Sequence, residues 1–160
     1  MTEILHRRRR GFVVLAMVAL AAIASSIPAG AVNIGNEGCT PGYWKNHTEN
    51  WEEYTVNSLL GNNFAIPGAL AQFRDDTFLE ALNYGGGSGI QGAARILFRA
   101  TVASYLNAAH EGVGYPYRRF TDPGNLRAQV NAALASLDRQ TMLALAAQLD
   151  KANNLGCPLN

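Results

Sequence analysis

The residues of this chain that could act as nucleophile and base are few and poorly placed for chemistry. Ser104 and His110 could form a nucleophile–base pair, but six positions along one helix point them to different faces. The sequence contains no Gly-x-Ser-x-Gly, His-Glu-x-x-His, Walker or Cys-x-x-Cys-His motif. We therefore predict that the protein is not an enzyme and uses no cofactor.

Two imidazoles and a carboxylate are the remaining candidates for a metal site. His47, His110 and Glu111 would suit zinc if the first helix packed on the end of the central helix, although nothing in their spacing requires it. The interpretation that we favour is structural. It places a hydrogen-bonded His47 between Trp44 and Trp51, and His110 at the C-terminus of the central helix.

The segment GCTPGYWKNHTENW, residues 38–51, concentrates aromatic side chains. Thr40 followed by Pro41 is typical of a helix start, and the following aromatic residues recur at spacings of three, four and three. We predict a first helix of about four turns that presents them on one face. The residues of that face are Trp44, His47, Trp51 and Tyr54.

Aromatic and basic residues of this segment and of the later loop EGVGYPYRRF could instead bind a sugar or a partner protein. Tryptophans at helical spacing belong to the core more often, so losing Trp44 or Trp51 to alanine should cost roughly 3–5 kcal/mol. In the loop we expect an exposed set of Tyr115, Tyr117, Arg118 and Arg119. The candidate binding residues are Tyr43, Trp44, Lys45, His47, Trp51, Tyr115, Tyr117 and Arg118.

Helical periodicity predicts the elements that must position these residues. Residues 90–110 are apolar almost all round and predict a central helix wrapped by others. Further helices are expected to begin at Asp75 or Asp76, at Asp122 followed by Pro123, and near residue 138, the last ending at Gly156. The fold class is all-α, a single domain of about five helices. The alternative is an α+β domain with a small hairpin near residues 112–121.

The first residues are typical of a targeting segment. A basic HRRRRG, an apolar FVVLAMVALAAIA and small residues at Ala29 and Ala31 predict a signal peptide over 1–31 and a helical secreted domain over 32–160. An uncleaved anchor is the competing interpretation, and the arginines also fit a twin-arginine signal. After cleavage we expect no membrane association.

The charge of the secreted domain excludes one class of partner. Arg7 to Arg10 hold four of the 13 basic residues and Glu3 one of the 12 acidic residues, so nine basic and eleven acidic residues remain. A net charge of −2 offers no basic footprint for nucleic acid.

The two cysteines lie near the ends of the secreted domain. Outside the cytoplasm two cysteines usually pair, so we predict a disulfide between Cys39 and Cys157. In the chain-entropy model a loop of more than 100 residues contributes about 4–5 kcal/mol at most.

Three segments, in order, resemble exported bacterial and archaeal proteins of unknown function: CTPGYWKNH, TFLEALNYGGG and VASYLNAAHEGVGYPY. In these proteins a Cys-x-Pro-Gly-Phe/Tyr-Trp-Lys segment opens a compact domain. The resemblance covers residues 38–117. It implies export, surface association and frequent attachment to larger surface proteins, and it brings no activity or ligand. The shared positions are Cys39, Pro41, Gly42, Trp44, Lys45, His47, Asn107, Tyr115 and Tyr117.

These observations predict a noncatalytic structural or interaction protein of the cell surface or extracellular space. Its partner would be a surface protein, a glycan or a second copy of the chain. The alternative function is a metal- or glycan-binding secreted module. In either case we expect residues 38–51 to be chiefly structural: they fasten the start of the domain to its other end and shape an adjoining contact surface.

Overall fold

A computed structural model describes residues 35–121 and 124–159. The signal peptide predicted for residues 1–31 and the helix start predicted at Asp122 and Pro123 lie outside these residues. The described chain contains six α-helices. They are α1 (Pro41–Asn46), α2 (Leu60–Asn63), α3 (Phe78–Leu82), α4 (Gly89–Ala109), α5 (Leu126–Ser136) and α6 (Arg139–Asn153). Two 3-10 turns, Thr48–Asn50 and Gly68–Phe73, connect them.

Helix α4 is the centre of the domain, as its apolar composition predicts. Most of its residues are buried, and it contacts α1, α3, α5 and α6, with α6 the most extensive neighbour. The exposed side of α4 carries Arg95, whereas Arg99 is half-buried and donates to the carbonyl of Tyr84 at 3.1 Å. The all-α prediction is therefore confirmed for the described residues.

The alternative of a small hairpin near residues 112–121 is wrong. Within residues 35–121 and 124–159 the only strand-like pairings are two isolated antiparallel bridges, between Gly38 and Gly156 and between Leu59 and Thr77. Helices α1, α3, α5 and α6 pack directly against α4, so the core is closed without a sheet.

The first helix starts as predicted but ends much earlier. The Thr40 hydroxyl accepts the N–H of Tyr43 at 3.1 Å, and Pro41 is the first helical residue. Helix α1 then stops at Asn46, after six residues. The carbonyl of Trp44, which a continued helix would use internally, instead accepts the indole N–H of Trp51 at 2.9 Å. The prediction of four helical turns was therefore wrong.

Two other helices begin later than the sequence suggested. Helix α3 is capped by Thr77 rather than by Asp75 or Asp76, because Thr77 and Glu80 form a reciprocal capping box. Helix α5 is capped by Asn125, whose side chain accepts the N–H of Ala128 at 2.9 Å.

The end of α6 also differs from the prediction. Asn154, not Gly156, is the C-cap residue of this helix. Gly156 follows with a φ of +119°, a conformation that favours glycine, and its carbonyl accepts the N–H of Gly38 at 3.0 Å. A Cβ on Gly38 would lie 2.2 Å from the carbonyl oxygen of Ala152, so only glycine fits this crossing.

The disulfide between Cys39 and Cys157 is present and joins residues 118 positions apart. It lies beside the Gly38–Gly156 pairing, so the start of α1 and the segment after α6 are held together both covalently and by backbone hydrogen bonding. The predicted connection between the two ends of the domain is confirmed. As for membranes, none of the helices in the described part of the chain combines the length and apolar character needed to cross a bilayer.

The burial of the two tryptophans generates a stability prediction. Trp44 is fully buried, and Trp51 is half-buried against the core. Trp44→Ala should lower the free energy of unfolding by roughly 3–5 kcal/mol, and Trp51→Ala by about half as much, because less apolar surface is lost. Chemical denaturation of both variants measures the difference. Equal losses would show that the indole of Trp51 contributes more than its burial indicates.

Candidate functional site

Asn107 lies on the buried face of α4. Both the oxygen and the nitrogen of its side-chain amide form hydrogen bonds with the backbone of Cys39. Its Oδ1 accepts the N–H of Cys39 at 2.7 Å, and its Nδ2 donates to the Cys39 carbonyl at 2.8 Å. The same Oδ1 accepts the indole N–H of Trp44 at 3.1 Å. One side chain therefore supplies hydrogen-bond partners to three buried polar groups of residues 38–51. For the two backbone groups of Cys39 it takes the place of a neighbouring strand.

The hydrogen bonds continue from Asn107 into α6 and the loop after α4. Asn107 Nδ2 donates to Asn153 Oδ1 at 3.0 Å, and the Tyr115 hydroxyl donates to the same oxygen at 2.8 Å. The Tyr115 hydroxyl also lies 2.7 Å from Ser104 Oγ. We call this buried network the clasp; its residues are Cys39, Trp44, Ser104, Asn107, Tyr115 and Asn153.

Every side chain of the clasp is bonded to another part of the fold. Ser104 Oγ lies 3.0 Å from the carbonyl of Ala100, so this hydroxyl bonds within the helix and the clasp. His110 has other partners: its Nδ1 accepts the N–H of Gly112 at 3.0 Å, and its Nε2 faces Glu52 at 3.6 Å. Ser104 and His110 thus do not form a nucleophile–base pair. As predicted, His110 is the C-cap residue of α4.

The structure does not bring the candidate metal ligands together. His47 is not between Trp44 and Trp51, which corrects the sequence interpretation. Its ring stacks on Tyr43 at 4.4 Å, and its Nδ1 lies 3.1 Å from Glu49. The backbone N–H of Glu111 donates to Glu52 at 2.8 Å. Among residues 35–121 and 124–159, no group of three His, Cys, Asp or Glu side chains is arranged to hold a metal ion.

An open groove of about 900 Å³ lies next to the clasp. One wall is the segment 35–37, where Glu37 pairs with Gly114: the Glu37 N–H donates to the Gly114 carbonyl at 3.0 Å, and Glu37 Oε2 accepts the Gly114 N–H at 2.8 Å. The rest of the lining comes from Glu53, the end of α4 and the loop after it. The side chains that line this groove and carry charge, an imidazole or a phenol include Glu37, Glu53, His110, Glu111, Tyr117 and Arg119.

An ion pair crosses the rim of the groove. Arg119 donates to Glu53 at 2.8 Å and to the Tyr54 hydroxyl at 2.9 Å. The hydrogen bond from Arg119 holds the pKa of the Glu53 carboxyl below its usual value of 4.5. Glu53 has a φ of +61°, and the N–H of Tyr54 bonds to the carbonyl of Glu52 across it. A non-glycine residue in this conformation is strained, and such strain is frequent at binding sites.

The candidate binding residues divide into three environments. Trp44 and Tyr115 are buried in the clasp, Tyr115 with only 3% of its surface exposed, so the expectation of an exposed Tyr115 was wrong. The expected exposure of Tyr117, Arg118 and Arg119 is also wrong, because all three are half-buried. Tyr43, His47, Trp51 and Arg118 are half-buried, and Lys45 is exposed over a different, smaller cavity. Of the eight candidates, Tyr115 and Tyr117 line the groove.

Sequence reasoning missed three important residues. Glu37 and Glu53 line the groove through backbone geometry that has no sequence signature, and Asn153 reads as an ordinary polar residue near a helix end. The alternation in YPY, with Tyr115 buried and Tyr117 half-buried, is the one pattern that could have separated the two tyrosines.

No protein-family model, curated protein or solved structure matches this chain. The family resemblance drawn from its motifs therefore stays a prediction.

The clasp generates a prediction about Asn107. Asn107→Leu leaves the Cys39 backbone groups and the Trp44 indole without partners in a dry interior, so it should lower the free energy of unfolding by about 3–5 kcal/mol. The exposed Asn154→Leu is the control and should change it by less than about 1 kcal/mol. Denaturant titration compares them. Similar stabilities would mean that water replaces the Asn107 amide.

The ion pair at the rim generates a pH prediction. Because the folded-state pKa of Glu53 is lowered, its contribution to stability is complete above the usual value of 4.5 and is lost as the pH falls through the folded-state pKa. Glu53→Gln should therefore be less stable than wild type at pH 7 by about 0.5 kcal/mol, the scale of an exposed pair, and nearly equal at pH 3. Thermal melts at both values test this. Asp75→Asn, at an exposed site with no ion pair in the described part of the chain, is the control and should show no comparable convergence between the two pH values.

Proposed function

We propose that this chain is an exported, noncatalytic interaction domain of the cell surface, whose clasp holds the groove in shape. The observation that carries the proposal is that the clasp buries the motif residues and bonds them within the fold. Cys39 is in a disulfide, and Trp44, Asn107 and Tyr115 are buried and hydrogen-bonded to one another or to shared partners. Residues in such positions contribute stability rather than chemistry.

Export is supported by two features. A disulfide between Cys39 and Cys157 is typical of proteins that mature outside the cytoplasm. The basic and apolar segments at the start of the chain are typical of a signal peptide. The resemblance of the three motifs to exported surface proteins agrees with both.

The groove is the contact surface that we assign to this function. It combines a half-buried phenol, Tyr117, with the carboxylate of Glu111 and the Glu53–Arg119 pair. Aromatic and charged groups around a concave surface are common in protein recognition. The strained backbone at Glu53 further supports a role in binding. We assign another surface protein as the partner, with a glycan as the alternative outcome of the test.

The test follows the full-length chain from export to binding. Expressed in a bacterial host, it should appear outside the cytoplasm with the mass of residues 32–160 and no alkylatable thiol. The purified domain should then cosediment with washed cell envelopes of the source organism. Tyr117→Ala and Glu111→Lys should reduce the bound fraction about tenfold, and protease treatment of the envelopes should abolish binding.

Gln140→Ala, at an exposed site on α6 that is not among the groove residues, is the control and should bind like wild type. Retention of residues 1–31 in cytoplasmic protein would contradict export. Binding that survives protease but is lost after removal of envelope polysaccharide would replace the protein partner with a glycan.

A further inference from the structure

Tyr105 carries a buried hydroxyl that has no hydrogen-bond partner among the described residues. The side chain projects from α4 into an aromatic cluster, is 0% exposed, and packs edge-on against Phe64 at 4.9 Å. Leaving a buried hydroxyl unpaired is unfavourable, so native proteins keep few such groups. A phenylalanine would pack against the same aromatic neighbours, Phe64 and Phe78, without the unpaired group, so the hydroxyl requires a reason.

The Tyr105 ring lies beside Phe120, whose ring two arginines also contact. Burial raises the pKa of the Tyr105 phenol, and the charged groups that act against this rise are Arg127 and Arg119. The ring of Phe120 stands edge-on over that of Tyr105 at 5.9 Å and is itself 48% exposed. Phe120 therefore covers Tyr105 while half of its own surface is in water.

The backbone around Phe120 is held by hydrogen bonds that do not involve its ring. The Phe120 carbonyl accepts the side-chain N–H of Asn125 at 3.1 Å. On either side, the carbonyls of Arg118 and Arg119 accept the N–H groups of Leu126 and Arg127 at 2.9 and 3.3 Å. A rotation of the ring would therefore leave these hydrogen bonds in place and would lose the contacts of the ring with Tyr105 and the two arginines.

Arg127 provides an available positive charge at this place. Its guanidinium lies 5.9 Å from the centre of the Phe120 ring, and its side chain makes no ion pair with any described carboxylate. Arg119 lies 5.2 Å from the same ring but is already paired with Glu53. Arg127, Arg119 and Glu53 together carry a positive charge, although residues 32–160 as a whole carry a net charge of −2.

We propose that the Tyr105 hydroxyl and the Arg127 guanidinium form a docking point, covered by Phe120, for a carboxylate side chain of an acidic segment in a partner protein. The carboxylate would accept from both donors, which a planar guanidinium and a phenol can supply together. Arg119 connects this point to the groove, because it lines the groove and also contacts Phe120. The inference rests on the proposed function and names the chemistry of its partner.

The experiment uses the oxidised secreted domain and a fluorescent hexaglutamate peptide, with hexaglutamine as the uncharged control. Wild type should bind hexaglutamate at least tenfold more tightly than hexaglutamine, and added salt should weaken the binding. Tyr105→Phe should bind hexaglutamate about tenfold more weakly while its Tm stays equal or rises by roughly 3–8 °C, since an unpaired hydroxyl is removed. If the hydroxyl had only a structural role, its removal would not weaken binding in a variant that is as stable as wild type.

Arg127 is exposed, so Arg127→Gln should keep the fold. This variant should also weaken binding about tenfold, whereas Phe120→Ala should bind at least as tightly as wild type. Unchanged binding in Tyr105→Phe or Arg127→Gln would overturn the proposal, and so would loss of binding in Phe120→Ala. Competition by millimolar inorganic phosphate, or stronger binding to phosphatidylglycerol vesicles, would overturn the carboxylate assignment. Because hexaglutamate binding is measured in solution, its failure is distinct from failure of export or of envelope binding.

Discussion

The pairing of the Asn107 amide with the Cys39 backbone is the constraint on which this domain depends. A peptide group that is buried beside a helix has no strand to satisfy it, and water cannot reach it. Asn107 supplies both the acceptor and the donor, at 2.7 and 2.8 Å. Its oxygen also fixes the Trp44 indole, and its nitrogen reaches Asn153. The start of α1, the C-terminal turn of α4 and the end of α6 are thereby held in one register, and the disulfide at Cys39 secures that register covalently.

The parts of the fold that depend on local physics could be predicted from the sequence. An α4 that is apolar on most sides must be central, and Thr40 with Pro41 must begin a helix. The end of α1 could not be predicted, because it depends on a tertiary hydrogen bond from Trp51 to the Trp44 carbonyl. Until that contact forms, the aromatic spacing is equally compatible with a longer helix. The starts of α3 and α5 were misplaced because several capping residues lie within a few positions of each other.

The candidate site was predicted only in part, for a related reason. Its tyrosines come from an extended loop in which neighbouring residues alternate in burial, so Tyr115 enters the clasp while Tyr117 contributes to the groove. A list of aromatic residues cannot separate them. Glu53 reaches the rim because of a positive φ, and Arg119 because of its pair with Glu53. Both depend on the assembled structure, whereas the disulfide could be predicted from the expected compartment and the count of cysteines.

Two buried polar side chains of helix α4 differ in their hydrogen bonding. Asn107 has its donor and acceptor groups engaged, whereas two positions earlier Tyr105 has a hydroxyl with no partner in the described part of the chain. Both residues are fully buried, so exposure does not explain the difference. A phenylalanine would fill the space at Tyr105 without the unpaired group, and the aromatic neighbours Phe64 and Phe78 would accommodate it. Stability alone therefore accounts for Asn107 but not for Tyr105. The hydroxyl becomes favourable only when an acceptor arrives from outside, at the side where Arg127 is free of any described carboxylate.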